Sequence, residues 1–488
     1  MGIETVYLDA RITEARAGAT QIKRPKDLTD PMPTTPRSPF FGKIDFSLTR
    51  QILTLTLPVA LTRQLDNVVG MADIYMVGKL GPEAISAVGI SRTIVMVISV
   101  TMIAITTGAF AMIAQAVGAQ DEEKASAAAK QSISLLAVFS IFPSCIGIVG
   151  APHFLRALSL APEVVVLATP YLRVFFGGSI FMMLNFSITT CLQASGNTRT
   201  PFYISLFNNG VKLVLSYLLI FGLFGLPELG VVGAAVGGVI GRGLGVIIGF
   251  GALYSGKYGI RLLPTTQYKP DFAQVRKILQ IGIPAALQGM FRNGSGVVLV
   301  KLVAMTSAST TAVAAFSIGS QMERLVRQIS LAFGTAATTL VGQSIGAGEL
   351  READKRGWTT LALAVITVSI VGLPIALFAK PLLAFFTDAQ DVVEIGVLYL
   401  VMIVVSEPFM CAAITSGGSL RGAGDNMPAL YYTLIAQWAI RLPVAAFLAF
   451  WMGFDIYGIW YSLIIFCALQ GFLTVRKFAQ GHWKSRKI

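Results

Sequence analysis

The sequence predicts an all-α membrane protein of twelve transmembrane helices, arranged in two six-helix lobes that form a parallel internal repeat. Hydrophobic residues make up 54% of the 488 residues and charged residues only 13%, far from the composition of a soluble domain. Short motifs recur at a spacing of 228 residues, and Lys and Arg collect on one side of the predicted spans. These observations define the architecture.

The predicted spans are apolar runs of about 20 residues, the length that crosses a bilayer. Six fall in each repeat, so we assign an N-lobe to residues 46–252, a cytoplasmic linker to 253–276 and a C-lobe to 277–475. Because six is even, both lobes have the same orientation, which is typical of transporters whose lobes rock about a central cavity. The spans lie near residues 50–75, 87–112, 127–150, 165–188, 202–224, 230–252, 277–299, 311–334, 358–379, 394–416, 429–450 and 455–475.

The internal repeat is visible in two motifs. Gln115–Ala119 returns as Gln343–Ala347, and Leu192–Gly196 returns as Leu420–Gly424. In each copy of the first motif a glycine, Gly118 in the first copy, stands at the inner end of a span, where it permits a left-handed turn that ends a helix. We interpret these motifs as hinges and caps rather than as substrate contacts.

The distribution of basic residues predicts the topology. Lys and Arg number 25 on the side that carries both termini and 4 on the other side. This asymmetry predicts cytoplasmic termini in a multi-pass protein of the inner cell membrane. Contacts between the inner loops and anionic lipid headgroups account for the net charge of +13, so no nucleic-acid partner is expected.

Two terminal segments lie outside the lobes. Residues 1–45 mix charges with prolines and have no apolar run, so they are predicted to form a disordered cytoplasmic tail. This segment also lacks the apolar core of a signal peptide. Residues 476–488 are predicted to form a basic cytoplasmic tail.

The sequence contains no HExxH, GxSxG, Walker A or paired-cysteine motif. Its four cysteines lie in or beside apolar spans, where we interpret them as small hydrophobic residues. We therefore expect no enzymatic activity, no cofactor and no metal site. We expect a monomer whose transport is driven by an ion gradient.

Ionisable residues inside the spans are the candidate functional groups, because each costs at least about 2.5–3.5 kcal/mol at the bilayer centre on insertion scales. Nine bases stand against four acids. The acids are Asp66, Asp73, Glu323 and Glu407, and the bases are Arg63, Arg92, Arg173, Lys212, Arg242, Arg292, Arg324, Arg327 and Arg441.

Asp66 and Asp73 are seven residues apart and therefore share one face of the first span. Arg63 stands three residues before Asp66 and is expected to neutralise it, whereas Asp73 has no such local partner. We interpret Asp73 and Asp66 as ion-coupling residues. The alternative is that Asp73 lies near the outer interface, where water hydrates its carboxylate. Lys212 is predicted to pair with Asp73 in one state of a transport cycle, or else to face lipid and reach the interface.

Two further acids lie in the second half of the chain. Glu323 and Arg327 are spaced i, i+4 on a helix and are expected to form a structural ion pair. Glu407 precedes Pro408, where it would accept a hydrogen bond near a helix kink, and its role stays open.

Several motifs resemble the multidrug and toxic compound extrusion (MATE) family, in the right order and over residues 46 to 475. The resemblance implies a twelve-helix, two-lobed secondary transporter that expels small amphipathic, often cationic, organic compounds in exchange for protons or sodium. The motifs that carry it are Leu57–Pro58, Asp73–Ala84, Gln115–Ala119, Leu192–Arg199, Gly282–Pro284 and Ser419–Asp425.

The resemblance also implies site residues. Asp73 matches the position of the family's N-lobe aspartate, a proton or cation site in the first helix. Many relatives carry asparagine and aspartate in the fifth span, where this chain has Asn208 and Asn209, followed by Lys212.

Sodium-driven relatives carry a glutamate in the seventh span and an aspartate in the tenth, where the nearest residues here are Arg292 and Met410. Proton coupling is therefore favoured over sodium. The surplus of bases leaves a second hypothesis, a flippase of the same superfamily that moves an anionic lipid-linked precursor. The predicted cavity or substrate residues are Asn208, Asn209, Lys212, Arg242, Arg292 and Glu323.

Overall fold

The computed structural model describes residues 45–158, 160–266, 268, 271–307 and 309–485, apart from the side chains of residues 96–99 and 309. The predicted N-terminal tail lies outside the described residues except for Asp45. The described residues form helices joined by short turns, with no β-strand.

The helices are, in chain order, α1 (Phe46–Gly78), α2 (Pro82–Gly118), α3 (Glu122–Ala157), α4 (Pro162–Gly177), α5 (Ser179–Ala194), α6 (Arg199–Phe221), α7 (Val231–Ser255), α8 (Phe272–Ala304), α9 (Ser309–Gly346), α10 (Leu350–Leu377), α11 (Ala379–Ala384), α12 (Gln390–Gly422), α13 (Met427–Trp451) and α14 (Asp455–Ala479). Helix α13 contains two stretches of wider π-helical turns, at Leu434–Arg441 and Phe447–Trp451.

The helices account for the twelve predicted crossings. Eight are long and apolar enough to span a membrane, and α4 and α5 together form a ninth span that bends by 48°. Helices α1, α8 and α9 have 33, 33 and 38 residues, more than the roughly 20 that a span needs. These three helices carry many of the predicted intramembrane charges, which lowers their apolar content. The all-helical, twelve-span prediction is confirmed.

Each half of the chain has its own apolar core. Ile113, Leu136 and Leu192 are buried together among α2, α3 and α5. Leu400 and Trp460 are buried in the core that includes α12 and α14. All four cysteines are free thiols, and three of them are buried, in agreement with their interpretation as small hydrophobic residues.

The segment between α7 and α8 packs against the N-terminal half. Lys130 of α3 is only 2% exposed, and its Nζ donates to the carbonyl oxygens of Leu263 at 2.5 Å and Thr266 at 2.7 Å. The same ammonium lies 4.6 Å from the centre of the Tyr268 ring. Ser126 accepts a hydrogen bond from the Leu263 N–H at 2.8 Å. These contacts attach most of the predicted linker to α3, so the linker is not a freely moving connection.

The first helix begins at a well-capped residue. The Asp45 carboxylate accepts hydrogen bonds from Ser47 and from the Leu48 N–H, and it pairs with Lys355 of α10 at 2.9 Å. The Ser47 hydrogen bond, followed by the Lys355 ammonium and the Leu48 N–H, holds the pKa of Asp45 below its usual range. This contact joins the start of α1 to the other half of the chain.

The predicted basic tail is partly folded. Trp483 is buried, and its ring stacks on Phe478 with centroids 5.3 Å apart. Lys484 pairs with Asp354 of α10 at 3.2 Å. The chain after α14 is therefore attached to the start of α10 as far as the structure describes it.

Candidate functional site

A charged cluster in the N-terminal half surrounds Asp73. The Asp73 side chain is buried, with 6% of its surface exposed, although it lies in a predicted span. The Lys212 ammonium of α6 contacts its Oδ2 directly, and the Arg92 guanidinium of α2 lies 3.5 Å from the same oxygen. One carboxylate thus joins three helices, and the predicted contact with Lys212 is present in the structure. We name Asp66, Asp73, Arg92, Lys212 and Arg242 the N-lobe cluster.

Glycines of α7 allow α6 to bring Lys212 into this cluster. A Cβ on Gly237 would lie 2.6 Å from the Ser216 hydroxyl, and one on Gly241 would lie 2.8 Å from the Asn208 carbonyl oxygen. Only glycine leaves room for such a close approach of two helix backbones. The close packing of α6 on α7 thus holds Lys212 beside α1.

Asp66 has a different environment from Asp73. Its residue is exposed, and its carboxylate accepts hydrogen bonds from Asn209 at 2.8 Å and from Ser205 at 3.4 Å. Arg63 lies within electrostatic reach of Asp66, as expected, but the two residues form no direct ion pair. The Arg63 guanidinium donates instead to Gln328 of α9 at 3.4 Å.

The remaining predicted residues of the N-terminal half separate into two places. Arg242 lies within electrostatic reach of Asp66 and Asp73, and its guanidinium is 5.5 Å from the centre of the Phe175 ring. Asn208 instead packs into the α6–α7 interface, where a Cβ on Gly245 would lie 2.1 Å from its side-chain oxygen. The structure therefore brings Arg242 to the site but not Asn208.

A second network lies in the C-terminal half. The predicted pair between Glu323 and Arg327 is formed, and Arg327 also lies 3.4 Å from Glu407 of α12. The Tyr399 hydroxyl donates to Glu323 at 3.3 Å. Glu407 is 2% exposed. Glu407, whose role the sequence left undecided, therefore pairs with the same arginine as Glu323.

Among the described residues, no carboxylate lies within ion-pair distance of Arg63 of α1, Arg292 of α8 or Arg421 of α12, and the same holds for Arg173, Arg242, Arg324 and Arg441. Arg292 is exposed, whereas Arg63 and Arg421 are half-buried. Arg421 lies in the last turn of α12, within electrostatic reach of Arg63 and Arg292.

The two halves meet where α2 and α9 end, which we name the closed end. The Gln115 side chain donates to the Gly422 carbonyl at 2.9 Å, and the Gln343 side chain donates to the Ala194 carbonyl at 3.1 Å. Gln115 and Gln343 are equivalent in the repeat, and so are Ala194 and Gly422, because both pairs are 228 residues apart. The duplication thus makes a reciprocal pair of hydrogen bonds across the interface.

Backbone contacts reinforce the closed end in the same reciprocal way. A Cβ on Gly118 would lie 1.9 Å from the Gln343 carbonyl oxygen, and one on Gly346 would lie 1.9 Å from that of Gln115. The expected left-handed turn at Gly118 is wrong, because that residue is still helical and positive φ occurs two residues later, at Gln120. The glycine serves close packing between the halves instead.

Every inter-half hydrogen bond among the described residues lies between the middle of the spans and the closed end. The contacts nearest the middle join α1 to α9, where Gln64 donates to the Leu325 carbonyl at 3.0 Å and Arg63 donates to Gln328. The N-lobe cluster and Arg292 lie beyond these contacts. No group of His, Cys, Asp and Glu in the described part of the chain could hold a metal ion.

Sequence reasoning missed Arg92 as a site residue. Arg92 was counted only as an intramembrane base, because nothing in a single sequence shows that α2 faces Asp73.

A two-lobed bundle of membrane-spanning helices with a charged interior and contacts at one end is the architecture of a secondary transporter. The family model MatE matches residues 58–218 and 284–447, one match in each repeat. The chain belongs to the MatE family, and it is a multi-pass membrane protein.

Relatives with similar sequences extend over nearly the whole chain. The chain is 30% identical over 449 residues to a probable multidrug resistance protein NorM of Thermotoga maritima, covering 90% of this chain and 94% of that protein. It is 27% identical to the probable multidrug resistance protein YpnP of Bacillus subtilis, covering 90% of this chain and 96% of that protein.

Solved structures share the fold. An outward-facing multidrug resistance MATE family transporter of the MOP superfamily superposes with a TM-score of 0.81 at 20% identity, covering 88% of this chain and 95% of that chain. The bent form of the Vibrio cholerae MATE transporter VcmN gives 0.81 at 21% identity, covering 89% and 97%.

Proposed function

We propose that this protein is a proton-coupled antiporter that exports small amphipathic organic compounds across the inner cell membrane by alternating access. The observation that carries the proposal is the Asp73 carboxylate, which is buried and held by cations from two other helices, α2 and α6. Family membership and relatives described as probable multidrug resistance proteins support export as the direction of transport.

Proton binding at Asp73 supplies the coupling. An ionised Asp73 offsets the charges of Lys212 and Arg92, whereas a neutral carboxyl leaves those cations to repel each other and Arg242. Protonation therefore loosens the contacts among α1, α2 and α6. We expect this change in the packing of α1, α2 and α6 to alter the binding of a substrate between the two halves.

The arrangement of contacts corresponds to an outward-facing state if the predicted topology holds. With cytoplasmic termini, the closed end is the cytoplasmic end, and the N-lobe cluster faces the outer half of the cavity. In this state protons reach Asp73 from outside while the substrate leaves. Return to the inward-facing state requires the reciprocal contacts of Gln115 and Gln343 to separate.

The proposal is tested with purified protein in liposomes that contain a cationic fluorescent dye. We expect dye movement when a pH step is applied and none when an equal sodium step is applied at constant pH. Movement driven by sodium alone would replace protons by sodium as the coupling ion. Failure of both gradients in protein of verified fold would contradict antiport.

A second candidate function is a flippase for an anionic lipid-linked precursor. The observation that favours it is the excess of bases over acids in the spans, where guanidinium groups match phosphate geometry. The same liposomes distinguish the two functions. A flippase moves labelled lipid phosphate between leaflets without a pH step, whereas the antiporter does not.

A further inference from the structure

A groove of about 360 Å³ lies between the first turns of α1 and the start of α6. Its charged lining residues are Arg50 and Arg199, and none of the described residues that line it is acidic. Both arginines are exposed, and neither pairs with a carboxylate among the described residues. The acid just before α1, Asp45, caps that helix and pairs with Lys355 of α10 at 2.9 Å. The groove therefore presents two guanidinium groups that no acid of the groove neutralises.

Apolar side chains continue the groove along α1. Phe46, Leu53 and Leu57 line it together with Arg50, and the four residues recur at intervals of three or four, so they share one helix face. The three apolar side chains are 83%, 42% and 60% exposed. An exposed apolar stripe of this kind marks a surface that lipid or a partner covers.

The groove opens towards lipid. The opposite face of α1 packs on the C-terminal half, where Leu48, Ile52 and Leu55 are buried with Val326 and Leu340 of α9. Residues of α1 and α6 alone line the groove. It therefore lies on the outer surface of the N-terminal half and not between the two halves.

The groove also lies at the surface of the bilayer. Helix α6 begins at Arg199 and has 23 residues, about the length of one crossing. The Thr198 hydroxyl donates to the Thr54 carbonyl at 3.4 Å, so α6 starts beside the third turn of α1. Arg199 is thus at the depth of lipid headgroups, with Leu57 farther into the bilayer. Helix α5 ends just before, at Ala194 of the closed end, which is cytoplasmic under the predicted topology.

We propose that this groove is a binding site for an anionic phospholipid. The lipid phosphate contacts the guanidinium groups of Arg50 and Arg199, whose planar forks of N–H donors match phosphate oxygens. An acyl chain lies along Leu53 and Leu57. Two cations repel the positive group of a zwitterionic headgroup and repel cationic compounds, so charge complementarity selects an anionic lipid. The inference goes beyond the proposed transport function and does not depend on it.

The test measures lipid binding beside the groove. Leu61 is 45% exposed, one turn beyond Leu57, and does not line the groove. In protein whose four native cysteines are replaced, Leu61→Cys is labelled with bimane and placed in phosphatidylcholine nanodiscs. Phosphatidylglycerol or phosphatidylcholine with a nitroxide on the acyl chain then quenches the bimane. We expect half-maximal quenching at a mole fraction about tenfold lower for phosphatidylglycerol, the effect of two basic residues beside an anionic headgroup.

Substitution of the two arginines should remove this preference. R50Q/R199Q should respond equally to both lipids, whereas R50K/R199K, which keeps the charges, should retain part of the preference. The matched control is R276Q/K277Q, which removes two exposed basic residues at the start of α8 that do not line the groove. This control should keep the full preference. If the glutamine double variant is not monodisperse, R50Q and R199Q are judged singly by the same criterion.

Three outcomes would overturn the proposal. The first is equal quenching of the parent protein by the two lipids. The second is a preference that survives in R50Q/R199Q, or that is lost equally in R276Q/K277Q, because either result would indicate a general effect of surface charge. The third is reversal of the quenching by glycerol 1-phosphate, which carries the phosphate without acyl chains. That reversal would assign the groove to a soluble phosphate compound, whereas a phospholipid site should be unaffected.

Discussion

At the scale of single residues, Asp73 and Asp66 offer a matched comparison on one helix face. Asp73 is buried between two cations, whereas Asp66 is exposed and receives hydrogen bonds from neutral side chains. We expect Asp73→Asn to abolish pH-driven transport, because an amide cannot take up and release a proton. Asp66→Asn should have a milder effect. The measurement is dye export from liposomes at equal protein content, and equal rates for wild type and Asp73→Asn would contradict the coupling role.

The contact between Lys212 and Asp73 leads to a prediction about pH. Lys212→Ala removes a cation that stabilises the charged form of the carboxylate by direct contact. We therefore expect the pH profile of transport to move upward. Lys79→Ala is a suitable control, since Lys79 lies over the Tyr75 ring outside the cluster. If Lys212→Ala left both the pH profile and the rate of transport unchanged, Lys212 would have no role in coupling.

Sequence alone predicted one ion pair within a helix and one between helices. The spacing of Glu323 and Arg327 predicted their ion pair, and the need of a buried lysine for a counter-charge predicted the contact of Lys212 with Asp73. Helical spacing placed the Arg63 charge near Asp66, but it did not show that the hydrogen bond of Arg63 goes to Gln328 on α9.

At the scale of helices, the ends of α2 and α9 depend on glycine. A Cβ on Gly346 would lie 1.9 Å from the Gln115 carbonyl oxygen. A backbone atom cannot move aside as the end of a flexible side chain can. We expect Gly346→Ala to slow transport by about tenfold or more, equivalent to at least roughly 1.4 kcal/mol, because the closed end no longer forms. The measurement is the initial rate of dye export in liposomes.

A matched control separates this collision from the general effect of alanine in a helix. Gly296 lies inside α8, and nothing stands within 4 Å of a Cβ placed there. Gly296→Ala should leave the rate unchanged, since alanine is the better helix former. A normal rate for Gly346→Ala would show that the two halves do not need this close contact.

The glycine motifs show what a repeat in one sequence can and cannot reveal. The 228-residue spacing predicted that both copies have equivalent positions, and the reciprocal hydrogen bonds of Gln115 and Gln343 follow that equivalence. It did not predict why Gly118 is glycine. A left-handed backbone conformation and a close contact between two backbones both require glycine. Only the packing between the halves shows which of these two reasons applies at Gly118.

At the scale of the whole molecule, the duplication and the charge asymmetry predict one topology. Twelve spans and an excess of Lys and Arg on one side predict that both termini are cytoplasmic. A reporter that fluoresces only in the cytoplasm should therefore be active when fused after Ile488. A reporter that works only outside the cell and is active at this position would contradict the topology, and with it the outward-facing assignment.

The structure of the linker between the two halves was only partly predictable. Residues 253–276 are the longest inner segment in the sequence, but Lys130 and Ser126 hold much of this segment against α3. A buried lysine that binds backbone carbonyls gives no sequence signal that distinguishes it from a lysine at the lipid interface.

Alternating access predicts that a covalent bond across the closed end stops transport. Ala114 and Gly342 are equivalent in the repeat, and a Cβ on Gly342 would lie 2.9 Å from the Ala114 Cβ, near the roughly 3.5–4.5 Å of a disulfide. In protein whose four native cysteines are replaced, Ala114→Cys with Gly342→Cys should lose transport on oxidation and regain it on reduction. Each single variant should have the same rate before and after treatment with the same oxidant. Full transport by the oxidised double variant, with the disulfide verified by mass, would mean that the closed end never opens during the cycle.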